Sequence, residues 1–178
     1  LVCVDNSLDL AKAITWMGQN RIDVFNASLG FIAAYPGDGT GDLKAYSNKA
    51  EKAGLTWVNS AGNYALNHWG GAFADSVDSD GVHQFLASPH DESLTVTLAA
   101  NWYIQVLLRW DDTWPYAGND FDLYLYEQGN PTPLASSTTD QGISWFNPPK
   151  EQLVYNNDAT AAIIDIVVQR GSGTSTAF

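Results

Sequence analysis

Apolar runs and helical spacings alternate along the first 66 residues. Residues 1–4, 22–27 and 55–59 form apolar runs of strand length. The predicted order βαβαβ favours a parallel sheet with right-handed crossovers. Between the runs, apolar residues recur at the spacing of one helical face, first at Leu10, Ala13, Ile14 and Met17, and then at Leu43, Tyr46, Ala50 and Ala53.

Local residue types mark the ends of both predicted helices. Asn6 and Ser7 are suited to cap the first helix at its N-terminus, and Gly18 and Asn20 are suited to end it. Gly54 is suited to end the second helix because glycine adopts the left-handed conformation freely. In parallel sheets ligand-binding groups collect at the carboxyl ends of the strands, so we expect a site at that edge.

From residue 67 onwards the apolar period changes from that of a helix to that of a strand. Clusters of Pro, Gly, Asn and Asp separate the alternating segments, which predicts an antiparallel β-sandwich or jelly roll. The predicted fold class is an α/β parallel-sheet segment in residues 1–66, followed by an all-β antiparallel domain in residues 67–178. Strands are predicted around residues 94–98, 102–110, 121–125 and 163–169.

The charge distribution divides the chain at the same place. The formal net charge is -12, and residues 1–66 hold six acidic and five basic residues, a net of -1. Residues 67–178 hold fourteen acidic and three basic residues, a net of -11. This acidity argues against nucleic-acid and anionic-membrane partners, which require clustered Lys and Arg. No apolar run approaches the roughly 20 residues that span a bilayer.

The N-terminal residues predict a piece of a longer protein, and the cysteine content excludes two kinds of site. The sequence begins inside a strand-like run with neither an initiator Met nor a signal peptide, so we expect an internal segment. Cys3 is the only cysteine, which leaves no disulfide framework and no Cys-based metal cluster. We expect Cys3 to be a small buried residue in a strand.

Candidate chemistry follows the second and third predicted strands. A side-chain amide at the carboxyl end of a parallel strand, such as that of Asn63, can donate a hydrogen bond to negative charge that develops in a substrate. Ser28 follows the neighbouring strand, so both strand ends would face one cleft. The alternative is that Asn63 only closes a turn, since Gly-Asn is a common turn pair.

Two segments resemble motifs of the subtilisin-like serine peptidases. Residues 26–30, Asn-Ala-Ser-Leu-Gly, resemble the substrate-binding strand of that family, and residues 59–63, Asn-Ser-Ala-Gly-Asn, resemble its oxyanion segment. The resemblance covers residues 1–66. Residues 110–112 and 119–125 are similar to motifs of a β-sandwich that is inserted or appended in some secreted bacterial subtilases. The resemblance implies a secreted serine endopeptidase as the parent protein, with polypeptide substrates.

The resemblance also implies a role for each matching residue. Asn63 would donate its side-chain N–H to the oxyanion of the tetrahedral intermediate, and this role is favoured over a simple turn. An extended substrate would add to the cleft as a strand along backbone groups of Ser28, Leu29 and Gly30. The specificity pocket would be lined by the small residues Ser60, Ala61 and Gly62.

The catalytic Asp and His motifs of the family are not found in this sequence. Asp5 lacks the surrounding motif, and His68, His83 and His90 all follow Asn63. We expect His68 to be structural and the other two to lie in loops, with no spacing that suggests a metal site. The chain alone should therefore not hydrolyse peptides, because nothing in it can act as the general base.

Ser175 lies in a segment, Gly-Thr-Ser-Thr-Ala, that resembles the nucleophile motif of the family. The segment follows a strand of the β-half, and Phe178 stands where the family usually has a proline. A Ser/Gly turn is therefore favoured over a nucleophile.

Acidic clusters leave a Ca²⁺ site open as an alternative to solvated turns. Asp75, Asp78 and Asp80 precede Gly81, but an EF-hand loop counted from either of the first two ends on Leu86 or Pro89 and not on an acidic ligand. Solvated acidic turns are favoured over a looser Ca²⁺ site, and no cofactor is required. A second candidate set consists of Asp111, Asp112, Asp120 and Asp122.

Aromatic residues of the second half suggest an alternative function. Trp102 and Trp110 fall on the alternating face of one strand and are predicted to lie in the core. Packing is also the default for other aromatic residues, but a group near Pro and Gly could form a platform for a sugar or peptide. The alternative is thus a carbohydrate- or protein-binding β-module fused to an inactive α/β segment. The platform residues would be Trp114, Tyr116, Trp145 and Phe146.

Overall fold

The computed structural model describes residues 1–141, 147–158 and 160–171. These residues fall into two compact units, Leu1–Trp69 and Gly70–Phe178. The first unit contains, in chain order, the helix α1 (Ser7–Gln19), the strand β1 (Val24–Ala27), the helix α2 (Gly41–Lys52) and the strand β2 (Thr56–Asn59). β1 and β2 pair in parallel, with Ala27 opposite Asn59. Both predicted helices and the parallel pairing of these two strands are confirmed.

Capping and burial explain why α1 forms where the sequence predicts it. The Asn6 side chain accepts a hydrogen bond from the backbone N–H of Asp9 at 3.0 Å, which satisfies one of the free donors of the first turn. The predicted apolar face is buried, and Ile14 on that face is fully inaccessible to solvent. The core of the unit consists of Leu10, Ala13, Ile14, Met17, Ala50 and Leu55.

The N-terminal strand predicted for residues 1–4 is wrong. These residues have no strand conformation, and Leu1 and Val2 are exposed. A strand needs a neighbour for its backbone hydrogen bonds, and no strand of the described residues pairs with this segment. Cys3 is exposed, which corrects the expectation of a buried cysteine. Of residues 1–4, only Val4 packs against the core of the first unit.

The second unit is built from antiparallel strands. In order along one sheet lie β5 (Leu94–Leu98), β10 (Ala162–Arg170), β7 (Phe121–Glu127) and β8 (Pro133–Ser137). Two further pairs are β6 (Trp102–Arg109) with β9 (Lys150–Asn157), and β3 (Leu86–Ala87) with β4 (His90–Asp91). Antiparallel pairing is confirmed, while the finer assignment to a sandwich or jelly roll stays a prediction.

Alternating side chains of these strands form the core of the second unit. Phe121 and Leu125 of β7 are completely buried, and Ile164 of β10 packs with them. Trp110 is 4% exposed, as predicted for a core residue, but Trp102 is 68% exposed, so that part of the prediction is wrong. Trp102 is the first residue of β6, whereas the residues of β6 that pack against the core lie further along the strand.

Polar groups buried beside this core are held by hydrogen bonds. Glu151 is 2% exposed, and its carboxylate accepts hydrogen bonds from Ser137, Gln141 and the backbone N–H of Thr139. Burial of a charge without such partners would be strongly unfavourable. Asp120, also buried, accepts from the backbone of Gln141 at 3.2 Å through its carboxylate.

Gly171 approaches Asp120 too closely for any side chain. Its backbone N–H donates to the Asp120 carbonyl at 2.9 Å, and a Cβ at position 171 would overlap the Asp120 carboxylate. We predict that Gly171→Ala lowers the free energy of unfolding by about 1–3 kcal/mol, because the buried carboxylate has little room to move. Urea denaturation measures this change.

Gly118→Ala is the matched control for this prediction. A Cβ at position 118 would meet Asp112 oxygens at 3.8 Å, which is an ordinary contact distance. Equal unfolding free energies for the two variants would contradict the assigned contact.

Candidate active site

The carboxyl ends of β1 and β2 lie at the same edge of the parallel pair. Ser28 is the first residue after β1, and Ser60 is the first residue after β2. The backbone N–H of Ser60 donates to the carbonyl of Ala27 at 3.2 Å. This bond extends the pairing one residue beyond β2, so the segments that begin at Ser28 and Ser60 start side by side.

Asn59 fixes the start of the segment that leads to Asn63. Its side-chain amide donates to the Ser60 carbonyl at 2.8 Å. The side-chain oxygen of Asn59 in turn accepts from the indole N–H of Trp57 at 3.4 Å. The Trp57 ring packs against Phe25 of the neighbouring strand, with ring centroids 5.2 Å apart. Backbone and side-chain contacts therefore both hold the end of β2.

The segment after β1 is anchored by two apolar side chains. Ala27 is 6% exposed, and Leu29 packs against the core of the first unit. Ser28 and Gly30, on either side of Leu29, are exposed. A Cβ at Gly30 would meet no other atom within 4 Å, so the backbone there borders open space. The arrangement allows an extended peptide to approach this backbone.

Residues 60–63 are all exposed, and Asn63 lies at the end of this group. Gly62 has φ +85°, a conformation that favours glycine and turns the chain just before Asn63. The Asn63 side chain forms no hydrogen bond with other described residues, so its N–H groups are available to a ligand. The specificity-pocket and oxyanion roles of these residues stay predictions, because both concern a bound substrate.

No catalytic histidine is found among the described residues of the first unit. His68 is the only histidine there, and its Nδ1 lies 3.3 Å from the Tyr64 carbonyl, a contact within one turn of chain. Ser175, the candidate nucleophile that the sequence disfavours, lies outside the described residues. The geometry thus shows two adjacent strand ends and, beyond one of them, the exposed side chain of Asn63.

His83 lies outside the strands, as predicted, but it is buried. The same prediction is wrong for His90, which is the first residue of the short strand β4 and pairs with Ala87. The His83 ring is 3% exposed and packs against Phe85, with centroids 4.5 Å apart. The backbone N–H of Ala74 donates to His83 Nδ1 at 3.0 Å. Burial lowers the pKa of His83, because the apolar surroundings disfavour the charged imidazolium. His83 is a neutral structural residue of the second unit.

Carboxylates from the first acidic cluster come together in the second unit. Ligand atoms of Asp75, Asp78 and Asp80 lie within 4.8 Å of one another, and those of Asp78, His90 and Glu92 do so as well. Burial raises the pKa of Glu92, and the charges of Asp80 and Asp78 raise it further. Oxygen ligands so arranged could hold Ca²⁺. The sequence did not indicate that His90 and Glu92 lie beside Asp78, because only the fold brings these residues together.

Within the second acidic set, Asp112 holds a loop. Asp112 accepts hydrogen bonds from the backbone N–H groups of Thr113, Gly118 and Asn119 and from the Asn119 side chain, all between 2.7 and 2.8 Å. Burial alone would raise the pKa of Asp112, but these bonds to the ionised form lower it below its usual value. Among the described residues, no three of Asp111, Asp112, Asp120 and Asp122 bring ligand atoms within 4.8 Å of one another.

The aromatic platform can be located only in part. Trp114 is half-buried and Tyr116 is 56% exposed. Trp145 and Phe146 lie outside the described residues. The platform therefore stays a prediction.

Comparison with known proteins identifies the family. The sequence model of the subtilase family matches residues 6–177, so this chain belongs to the subtilase family. That match confirms the resemblance to this family, and it implies serine peptidases and polypeptide substrates for the family. No curated protein and no solved structure matches the chain. Within the described residues, no helix has the length and apolar character needed to cross a membrane.

Ca²⁺ titration distinguishes the two interpretations of the first acidic cluster. The favoured one, solvated acidic turns, predicts no saturable heat on addition of Ca²⁺ and an unchanged melting temperature. Isothermal titration calorimetry and thermal unfolding measure both. A saturable heat that Asp78→Asn removes and Asp111→Asn retains would contradict this interpretation, because Asp78 belongs to both ligand groups and Asp111 to neither.

Proposed function

We propose that this chain is a segment of a secreted subtilisin-like serine endopeptidase, in which it supplies the oxyanion donor and the substrate-binding strand. The observation that supports this function best is the hydrogen bond from Ser60 to Ala27, because it sets the two family motifs side by side at one strand edge. Membership of the subtilase family supports the same chemistry.

The substrate adds to the edge as an extended strand. Backbone groups of Ser28 and Gly30 bind its main chain, while Leu29 keeps the segment attached to the core. The small exposed residues Ser60, Ala61 and Gly62 line the pocket for the substrate side chain next to the scissile bond. Small side chains leave room there, and so the size of the accepted side chain depends on them.

Asn63 acts when the carbonyl of the scissile bond becomes tetrahedral. Its side-chain N–H donates to the oxyanion, and this bond strengthens as negative charge develops. The general base, its Asp partner and the nucleophilic serine come from other parts of the parent protein, with Ser175 not serving as the nucleophile.

The domain assignment follows from this function. Residues 1–66 form part of a parallel α/β subtilase core, and residues 67–178 form an acidic β-sandwich that is an insert or accessory domain. Antiparallel pairing and the concentration of acidic residues in the second part support this assignment.

We predict that Asn63→Ala in the full-length peptidase lowers kcat by about 100- to 1,000-fold, because the lost bond stabilises only the transition state. KM for a peptide substrate should change little. Steady-state kinetics with a chromogenic peptide measures both constants.

Asn67→Ala provides the control for Asn63→Ala. Asn67 is exposed in the same stretch of chain, and its backbone N–H, which the substitution retains, donates to the Tyr64 carbonyl at 3.0 Å. An equal kcat in the two variants would exclude Asn63 as the oxyanion donor.

A second candidate function is binding of a carbohydrate or protein by the β-domain. The exposure of Tyr116, two residues along the chain from Trp114, favours it. This function predicts that the chain binds an immobilised glycan or peptide, that Trp114→Ala abolishes binding, and that Trp102→Ala retains it. Surface plasmon resonance measures the three proteins. Equal binding by both variants would rule out the platform.

A further inference from the structure

A cavity of about 480 Å³ lies on the outer face of the four-stranded sheet in the second unit. Leu125 and Ile164 point into the core, so the adjacent residues Tyr126 and Asp165 point to the opposite face. Tyr126 and Asp165 stand opposite each other on β7 and β10 and form the floor of the cavity together with Val167. The volume is within the range of small-ligand sites.

The walls of the cavity are acidic. The lining includes Glu92, whose carboxylate also lies 3.0 Å from Nε2 of His90. It also includes Glu127, the last residue of β7, and Asn130 in the turn between β7 and β8. Three carboxylates, those of Glu92, Glu127 and Asp165, thus surround one opening. No Lys or Arg is among the lining residues, all of which the structure describes. The charges of Asp80 and Asp78 reach Glu92 from outside the cavity and make its surroundings still more negative.

The floor of the cavity also contains an aromatic ring, that of Tyr126. The Tyr126 ring stacks with the Tyr124 ring at a centroid distance of 6.2 Å and an interplanar angle of 29°, which orients the Tyr126 ring. The hydroxyl of Thr95 donates to one carboxylate oxygen of Asp165 at 2.7 Å, which fixes that side chain as well. Fixed carboxylates and an aromatic face are the two features that a planar cation uses.

An arginine side chain matches these features better than a neutral sugar does. Ionised carboxylates only accept hydrogen bonds, whereas a guanidinium only donates them and does so in a planar fork. Sugar hydroxyls need donors as well as acceptors. Ser93, Tyr126 and Asn130 of the lining can donate, but the three carboxylates, which carry the charge of the site, cannot. A lysine ammonium would gain the charge but not the planar contact with Tyr126.

We propose that this cavity binds an arginine side chain of an extended polypeptide, with Asp165 and Glu127 contacting the guanidinium and Tyr126 lying beneath it. The site is separate from residues 28–30 and 60–63 and does not depend on the proposed peptidase function. The partner is thus a basic peptide segment, recognised by the second unit.

The test is an NMR titration of the complete chain at physiological salt, with EDTA present to remove divalent cations. The ligand is the capped tripeptide Gly-Arg-Gly, and the matched control ligand is Gly-citrulline-Gly, which has nearly the same shape without the charge. We expect saturable shifts of the Gly129, Asn130 and Asp165 amides with a Kd of about 1 mM, and no shifts with citrulline.

Variants inside and outside the cavity distinguish binding at this site from attraction to the overall negative charge of the chain. Asp165→Asn and Glu127→Gln should each weaken binding about tenfold, equivalent to about 1.4 kcal/mol. Asp111→Asn makes the same charge change at an exposed position outside the cavity and should leave the Kd unchanged. Asp165→Asn retains an oxygen for Thr95, and Glu127 is exposed, so both variants should fold.

Four results would overturn the proposal. They are the absence of saturable shifts, equal shifts with the citrulline peptide, equal weakening by Asp111→Asn, and shifts of the same amides by a neutral trisaccharide in place of the arginine peptide.

Discussion

The backbone hydrogen bond from Ser60 to Ala27 is the contact on which the candidate active site depends. It continues the parallel pairing of β1 and β2 beyond the last residue of β2. Asn59 adds a second contact to the Ser60 carbonyl, and Leu29 ties the other segment to the core. A loop without these contacts would lose conformational entropy each time a substrate bound, and this loss would weaken binding.

Much of the first unit could be predicted because its signals are local. The Asn6 cap and the face that contains Ile14 determine α1, whatever the rest of the chain does. The alternation of strands and helices is also readable from local sequence, and it predicted the parallel pairing of β1 and β2. Ser28 and Asn63 could be singled out because they follow these strands directly or within one short segment. Their chemical roles rest on the family and not on a contact with substrate.

The features that sequence failed to predict depend on residues far apart in the chain. Residues 1–4 have the composition of a strand, but strand formation also needs a neighbour. His83 is polar and lies outside the strands, yet it is buried, because the rings of Phe73 and Phe85 pack against it. Glu92 is an ordinary surface residue by sequence, and only the antiparallel pairing brings it to Asp78 and to the cavity. The alternation of apolar and polar residues predicted β6 correctly, but it did not show where along the strand the core ends. The prediction that Trp102 is buried was therefore wrong.

In the proposed site, one strand edge holds both the substrate main chain and the oxyanion. A crystal structure of the full-length peptidase with a peptide boronate bound would show both contacts. We expect inhibitor backbone paired with Ser28 and Gly30, and a boronate oxygen about 2.7–3.1 Å from Nδ2 of Asn63. An inhibitor bound elsewhere, or an Asn63 amide directed away from the boronate, would show that this edge is not the substrate site.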